Sequence, residues 1–219
     1  MAIKSYVVVG LGQFGEHVAR RLSEAGHDVL GLDKDMERVE SLKDAVPRVA
    51  RADCTSENAM RAMGVGEAEV AVMALGEEDF EAAVLGTAVL KGLGVKTVVA
   101  RSSSPQRGRI LSLAGANRVV YPEAEMGEQL AQSLLHSNVA ASVALPSGFS
   151  LVELRAPKTV AGKTLQELQL RQTHALNVVA IERGGKVRDP EPSFALEDGD
   201  MLLLAGRTHQ IDSLARLWE

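Results

Sequence analysis

Tyr6–Leu22, YVVVGLGQFGEHVARRL, is the stretch whose reading decides the fold of this chain. An apolar run, Tyr6–Val9, ends on Gly10; Val18, Leu22 and Ala25 then recur at helical spacing until Gly26. A buried strand, a glycine turn and an amphipathic helix in direct succession are the first half of a βαβ unit. Within the turn, Gly10, Gly12 and Gly15 stand in G-x-G-x-x-G spacing, with Gln13 and Phe14 between the last two. The first glycine permits the tight turn, the second lets backbone approach a pyrophosphate, and the third permits close helix–strand contact. Free N–H groups and the dipole at the helix start then hold the phosphates.

The next apolar run, DVLGLDKD, leads to Asp33, eighteen positions beyond Gly15. A carboxylate there can accept hydrogen bonds from both ribose hydroxyls of an adenosine and would repel a 2′-phosphate, which disfavours NADP. Lys34 next to it softens that discrimination. In ADCTSENAM, Asp53 and Thr55 fall where the carboxyl edge of a sheet meets an adenine ring. Thr55 or Ser56 reads equally as a helix N-cap, and the two readings are compatible. Cys54 has no neighbouring histidine in sequence to activate it and is expected to be inert. Arg101, followed by three serines, either neutralises phosphate charge or simply caps a strand. Glu123, after Tyr121-Pro122, either favours a helix N-terminus or coordinates a hydrated divalent cation near a triphosphate.

Outward from this core, Tyr6–Val9, Val29–Leu32, Val49–Arg51, Val70–Ala74, Thr97–Ala100 and Arg118–Tyr121 read as strands separated by helical patterns. Near-continuous apolar strands alternating with helices predict a doubly wound, Rossmann-like parallel sheet in an α/β domain over residues 1–138. Its last helix, from about Glu123 to Asn138, carries Met126, Leu130 and Leu134 on one face, widened by Ala131 and Leu135. A stripe that wide reads as core packing or as burial on two sides. Residues 139–150, NVAASVALPSGFS with the preceding asparagine, are rich in small residues with Pro146 and Gly148, and read as a linker. Over 151–219 a second, smaller α+β domain follows. It has strands at Leu151–Leu154, Asn177–Glu182 and Met201–Ala205, a hairpin turn at Arg183–Lys186, helical turns at Thr164–Gln169 and a closing helix at Thr208–Leu217.

Composition sets the bounds. The 219 residues are 46% hydrophobic and 24% charged, a globular mixture that excludes disorder and fibrous repeats. With 24 basic against 29 acidic residues the net charge is −5, and a general nucleic-acid binder would need a basic stripe. No run of 18 apolar residues is present, and the opening MAIKSYVVVG is not expected to be a signal peptide. One cysteine fits a reducing compartment, so a soluble cytoplasmic protein is expected. The five histidines are scattered without ligand spacing. A dehydrogenase would need an acid–base group beside the nicotinamide and a substrate pocket. Neither a Tyr-x-x-x-Lys nor a His–carboxylate pair is evident. The expectation is therefore a sensor rather than an enzyme, with a small NAD-dependent oxidoreductase as the alternative.

The segments GLGQFGEHVARRLSEAGHDVLGLDKD, ADCTSENAM and GANRVVYPEAEMGEQLAQSL resemble the N-terminal module of RCK proteins (regulators of conductance of potassium) of the TrkA/KtrA group. LVELRAP, VAGKTLQEL, ALNVVAIERGGKV and LEDGDMLLLAG resemble the C-terminal RCK module, and a single copy of each is similar to the KtrA type. The resemblance implies a cytosolic homo-oligomer, from dimer to octameric ring, docked on the inner face of the membrane through a potassium-transporting subunit of the KtrB/TrkH type. It implies that ATP, ADP or NAD(H) binds at Gly10, Gly12, Gly15, Asp33, Asp53 and Arg101, and that the helix from Glu123 pairs protomers. It further implies a cation such as magnesium near Glu123. One departure stands out: Gln13 replaces an arginine that KtrA-like members often use on a γ-phosphate across the dimer, which gives NAD(H) more weight. Arg171 and Asn177 resemble the positions at which some members bind cyclic di-AMP; each also reads as an ordinary surface arginine and strand-start asparagine.

Overall fold

The computed structural model describes residues 3–145 and 148–219, and the chain divides into two compact units between Ala124 and Glu125. The first unit runs β1 (Ser5–Val9), α1 (Gln13–Glu24), β2 (Asp28–Asp33), α2 (Met36–Leu42), β3 (Arg48–Arg51) and α3 (Glu57–Ala62). It continues through β4 (Val70–Met73), α4 (Phe80–Gly92), β5 (Thr97–Arg101), α5 (Pro105–Leu113) and β6 (Arg118–Val120). All six strands are parallel, in the order β3-β2-β1-β4-β5-β6. The doubly wound α/β sheet expected from the sequence is therefore present.

Side chains of a strand alternate between faces, and here both faces are covered. Val8 and Val29 pack with Leu11, Ala19, Val39 and Leu42 in one apolar layer. Val7, Val9, Leu32, Met73, Leu90, Val98 and Leu111 form the other. The strand order reverses between β1 and β4, so the connections diverge there and leave a crevice at the carboxyl ends of the strands.

In the second unit, α6 (Pro122–Leu135) crosses the division and is followed by β7 (Val139–Leu145), β8 (Phe149–Arg155), α7 (Leu165–Leu168) and α8 (Leu170–His174). Then come β9 (Asn177–Arg183), β10 (Lys186–Arg188), β11 (Met201–Arg207) and α9 (Thr208–Leu217). The sheet is antiparallel, ordered β10-β9-β11-β8-β7. Leu154, Ile181, Leu202 and Leu204 meet Leu176, Ile211, Leu214 and Trp218 in its core. Beside that core an ion pair is enclosed. Both carboxylate oxygens of Asp200 accept from Arg183, at 2.8 and 2.7 Å, and Asp200 also accepts the Glu197 N–H at 2.8 Å. The Arg183 guanidinium lies 4.6 Å from the Phe194 ring centroid. Burial is the largest single influence on the Asp200 carboxyl and pushes it up, but the bonds from Arg183, the Glu197 N–H and the Arg183 charge together hold the group below the usual range.

Two expectations change. The segment read as a linker forms β7, paired with β8 from Val139↔Leu154 to Leu145↔Phe149; Pro146 and Ser147 lie outside the described residues. Three alanines give β7 little strand propensity, and its pairing with β8 alone makes it a strand. The apolar stripe of α6 is not core: Met126, Leu130, Leu134 and Leu135 are 59–75% exposed.

Candidate functional site

The crevice at the β1/β4 reversal is built from its backbone upward. At the end of β1, Gly10 adopts φ +90° and donates its N–H to Leu32 O at 2.8 Å. A Cβ there would lie 2.9 Å from the Leu75 side chain and 3.1 Å from its backbone N. On Gly15 a Cβ would fall 1.8 Å from Gly10 O, so α1 can sit this close to β1 only with glycine. Gly12 differs, because the nearest atom to a Cβ would be Arg38 Nη1 at 3.8 Å. The space over Gly12 is open, at the N-cap of a twelve-residue helix whose first N–H groups face outward. Gln13, in the first turn, is exposed.

Asp33 ends β2 and is 3% exposed. Its Oδ2 accepts the Leu11 N–H at 2.6 Å and its Oδ1 the Asp35 N–H at 2.8 Å. The carboxylate therefore fixes the glycine loop as well as facing the crevice. Arg38 of α2 stands over it, Nη1 to Oδ2 at 3.5 Å. Lys34 bonds Asp79 at 2.6 Å; that bond raises its pKa and ties it to the opposite rim. After β3, Asp53 accepts the Thr55 hydroxyl at 2.7 Å and the Thr55 N–H at 2.9 Å, which lower its pKa in that order. Ser56 is the N-cap of α3, accepting the Ala59 N–H, so Thr55 orients Asp53 instead of capping. Cys54 is buried against Gly86 and Met73; burial first, then the Asp53 charge, pushes its thiol up to about 11.

A narrow pocket at the β1–β2–β3 end brings together Gly10, Asp33, Lys34, Asp53, Cys54 and Asp79. It adjoins a cavity of about 330 Å³ over the loop, lined by Gly10, Gly12, Arg38, Gly76, Asp79 and Arg101. Past Gly76 a third cavity follows at the end of β5, where Arg101 pairs with Glu123 and lies 5.7 Å from the Phe14 ring centroid. Burial is the largest single influence on the Glu123 carboxyl and pushes it up, but the bond from Arg101, a backbone N–H bond and the Arg101 charge together leave the pKa lowered. Glu123 thus meets a guanidinium, and no cluster of three His, Cys, Asp or Glu suited to a metal exists among the described residues.

The chain fold thus gathers Gly10, Gly12, Gln13, Phe14, Gly15, Asp33, Lys34, Asp53, Cys54, Thr55, Arg101 and Glu123 along one sheet edge. Sequence reasoning missed Arg38, Asp79, Glu77 and Arg107. Arg38 had a faint signal, a cation one helical turn past the α2 cap at Asp35; the others depend on loops meeting across the crevice. In the second unit, Arg171 and Asn177 line one cavity of about 470 Å³ with Gln169, Pro190 and Pro192.

The TrkA-N domain family matches residues 6–122 and the TrkA-C domain family residues 149–217. The chain is 32% identical to the Ktr system potassium uptake protein C of Bacillus subtilis (strain 168) over 209 residues, 95% of this chain and 94% of that one. It is 30% identical to the Ktr system potassium uptake protein A of Vibrio alginolyticus over 204 residues, 93% and 92% of the two chains. Among solved structures it is similar to the GsuK RCK domain, with TM-score 0.69 at 20% identity, over 99% of this chain and 48% of that one. The GsuK channel bound to NAD gives TM-score 0.68 at 20% identity, over 100% of this chain and 40% of that one. This chain therefore spans about half the length of the GsuK RCK chain or less, and that likeness speaks for the fold. With both domain families matched in order and Ktr relatives aligned almost end to end, the chain belongs to the TrkA-N/TrkA-C family of potassium-uptake proteins.

Proposed function

We propose that this protein is the nucleotide-sensing regulatory subunit of a bacterial potassium-uptake system. The single observation that carries the reading is the open backbone over Gly12 beside the buried carboxylate of Asp33, at the switch point of a TrkA-N sheet. The adenosine lies along Asp33 and Asp53, and the phosphates over Gly12, with Arg38 and Arg101 on either side. ATP or ADP and NAD(H) share that adenosine grip and shift the protein only through unequal affinity for its conformations. A hydrated magnesium ion accompanies a triphosphate if Glu123 releases Arg101.

The protein acts as a homo-oligomer, from dimer to ring, on a membrane potassium-transporting subunit of the KtrB/TrkH type and so at the cytoplasmic face. Support comes from the Ktr relatives and from the exposed apolar stripe of α6, since contiguous exposed apolar surface marks an interaction site. A panel of ATP, ADP, NAD, NADH and cyclic di-AMP, with and without magnesium, tests the ligand by thermal shift. A rise with at least one adenine nucleotide is expected, and no rise at millimolar dose rejects the proposal. Turnover of NADH with a carbonyl substrate would favour the oxidoreductase alternative.

The convergence of Arg171 and Asn177 on one cavity favours a second reading for the smaller unit, binding of cyclic di-AMP. If Arg171→Ala leaves a measured cyclic di-AMP affinity unchanged, that reading fails.

A further inference from the structure

The antiparallel sheet of the smaller unit ends on two unlike edges, β10 and β7. An edge strand leaves a row of N–H and C=O groups without a ladder partner, and proteins blunt such edges with short strands and with charge. β10 follows that rule: its three residues, Lys186, Val187 and Arg188, are all exposed and two are charged. β7 breaks it. VAASVAL runs seven residues without a charge or a proline, and among the described residues it pairs with β8 alone. The register shifts between Val139 and Ala141 and is regular from there to Leu145. Residues paired across strands share a face, so Ala141, Val143 and Leu145 stand with Phe149 and Leu151, on the face opposite the core residues Val152 and Leu154. Val143, Leu145 and Phe149 are 52%, 43% and 40% exposed, so apolar side chains gather in water beside the one unprotected edge.

The regular part of β7 also matches its own reverse. Turned about a two-fold axis through Val143, a second β7 runs antiparallel to the first: Val143 meets its copy, Ala141 meets Leu145, and Ser142 meets Ala144. Across the apolar face a small residue is set against a large one, and no like charges come together. A two-fold contact uses the same patch on both partners, so an edge that is uncharged and complementary to itself fits a second copy of this chain. We propose that β7 is an interface strand, joining two copies of the smaller unit edge to edge in one continuous antiparallel sheet with five strands from each copy. The inference deepens the homo-oligomer reading above and rests on it, but draws on neither the nucleotide site nor the α6 stripe.

Disulfide trapping and light scattering on the full chain test it. Directly opposed residues of antiparallel strands lie about 4.5–5.5 Å apart at Cα, within the span of a disulfide. Val143→Cys is therefore expected to cross-link to its copy under mild oxidation at least about tenfold faster than Val187→Cys on the charged edge, because pairing raises the effective concentration of the thiols. The single native cysteine, Cys54, is buried and adds little background. Val143→Lys sets like charges face to face across the axis and is expected to lower the scattering mass about twofold, whereas Val187→Lys leaves it unchanged. With the unchanged protein an oligomer, equal cross-linking of the two cysteine variants, or full mass for Val143→Lys, overturns the inference. The homo-oligomer reading then stands, and the edge is left to a strand of a different chain. A monomer for the unchanged protein at every concentration overturns the homo-oligomer reading itself, and the inference with it.

Discussion

Asp33 shows how one buried side chain serves two purposes. Its carboxylate is the hydrogen-bond acceptor for Leu11 and Asp35 N–H groups and also lines the crevice in which we propose the adenosine binds. Asp33→Ala should therefore lower stability even without ligand, by about 1–3 kcal/mol for each N–H left unpaired, and should weaken every adenine nucleotide. A melt of the free protein and a titration separate the two effects. Gly12 and Gly15 separate them more cleanly. Gly12→Ala meets nothing closer than 3.8 Å and should keep the melting temperature while obstructing phosphate, whereas Gly15→Ala drives a methyl into Gly10 O and should unfold the loop. At Cys54, a thiol pushed up to about 11 and buried should resist alkylation at pH 8 and react only after unfolding, as a timed thiol titration would read.

Among the elements, the first unit was legible because its strands are buried on both faces and its helices on one, two patterns that differ in period. β7 was not, because an alanine-rich edge strand has almost no pattern of its own. The Arg183–Asp200 pair was invisible for another reason: seventeen residues separate its partners, and only the return of β11 beside β9 joins them. Arg183→Ala leaves the Asp200 charge enclosed, and should cost the smaller unit about 3 kcal/mol in a denaturant titration. The folded-state pKa of Asp200 is depressed, so its contribution is fully present above its ordinary value of 3.8. It is lost as pH falls through the lower folded value, because the unfolded chain takes up the proton first. The denaturation midpoint should thus fall below about pH 4, and Asp200→Asn should flatten that limb.

At the scale of the molecule, α6 carries the assembly proposal. Its four apolar side chains, Met126, Leu130, Leu134 and Leu135, lie at helical spacing and are each more than half exposed. Met126→Glu combined with Leu134→Glu should lower the mass seen by light scattering, with little change in secondary structure, since neither residue supports a core. A monomer for the unchanged protein would contradict the ring. No helix among the described residues is long and apolar enough to cross a membrane.

The alternation of apolar strands and amphipathic helices, the glycine spacing and the carboxylate after the second strand are local patterns. A linear reading reaches them because backbone preference and side-chain period are properties of neighbouring residues. From them the doubly wound sheet and the Gly10–Asp33 end of the crevice were already determined. Which arginines line the crevice, how Lys34 is tied to Asp79, and that Glu123 meets Arg101 depended on loops from separate strands arriving at one sheet edge. Charge pairing across such gaps is set by distance in space, which only the packed chain defines.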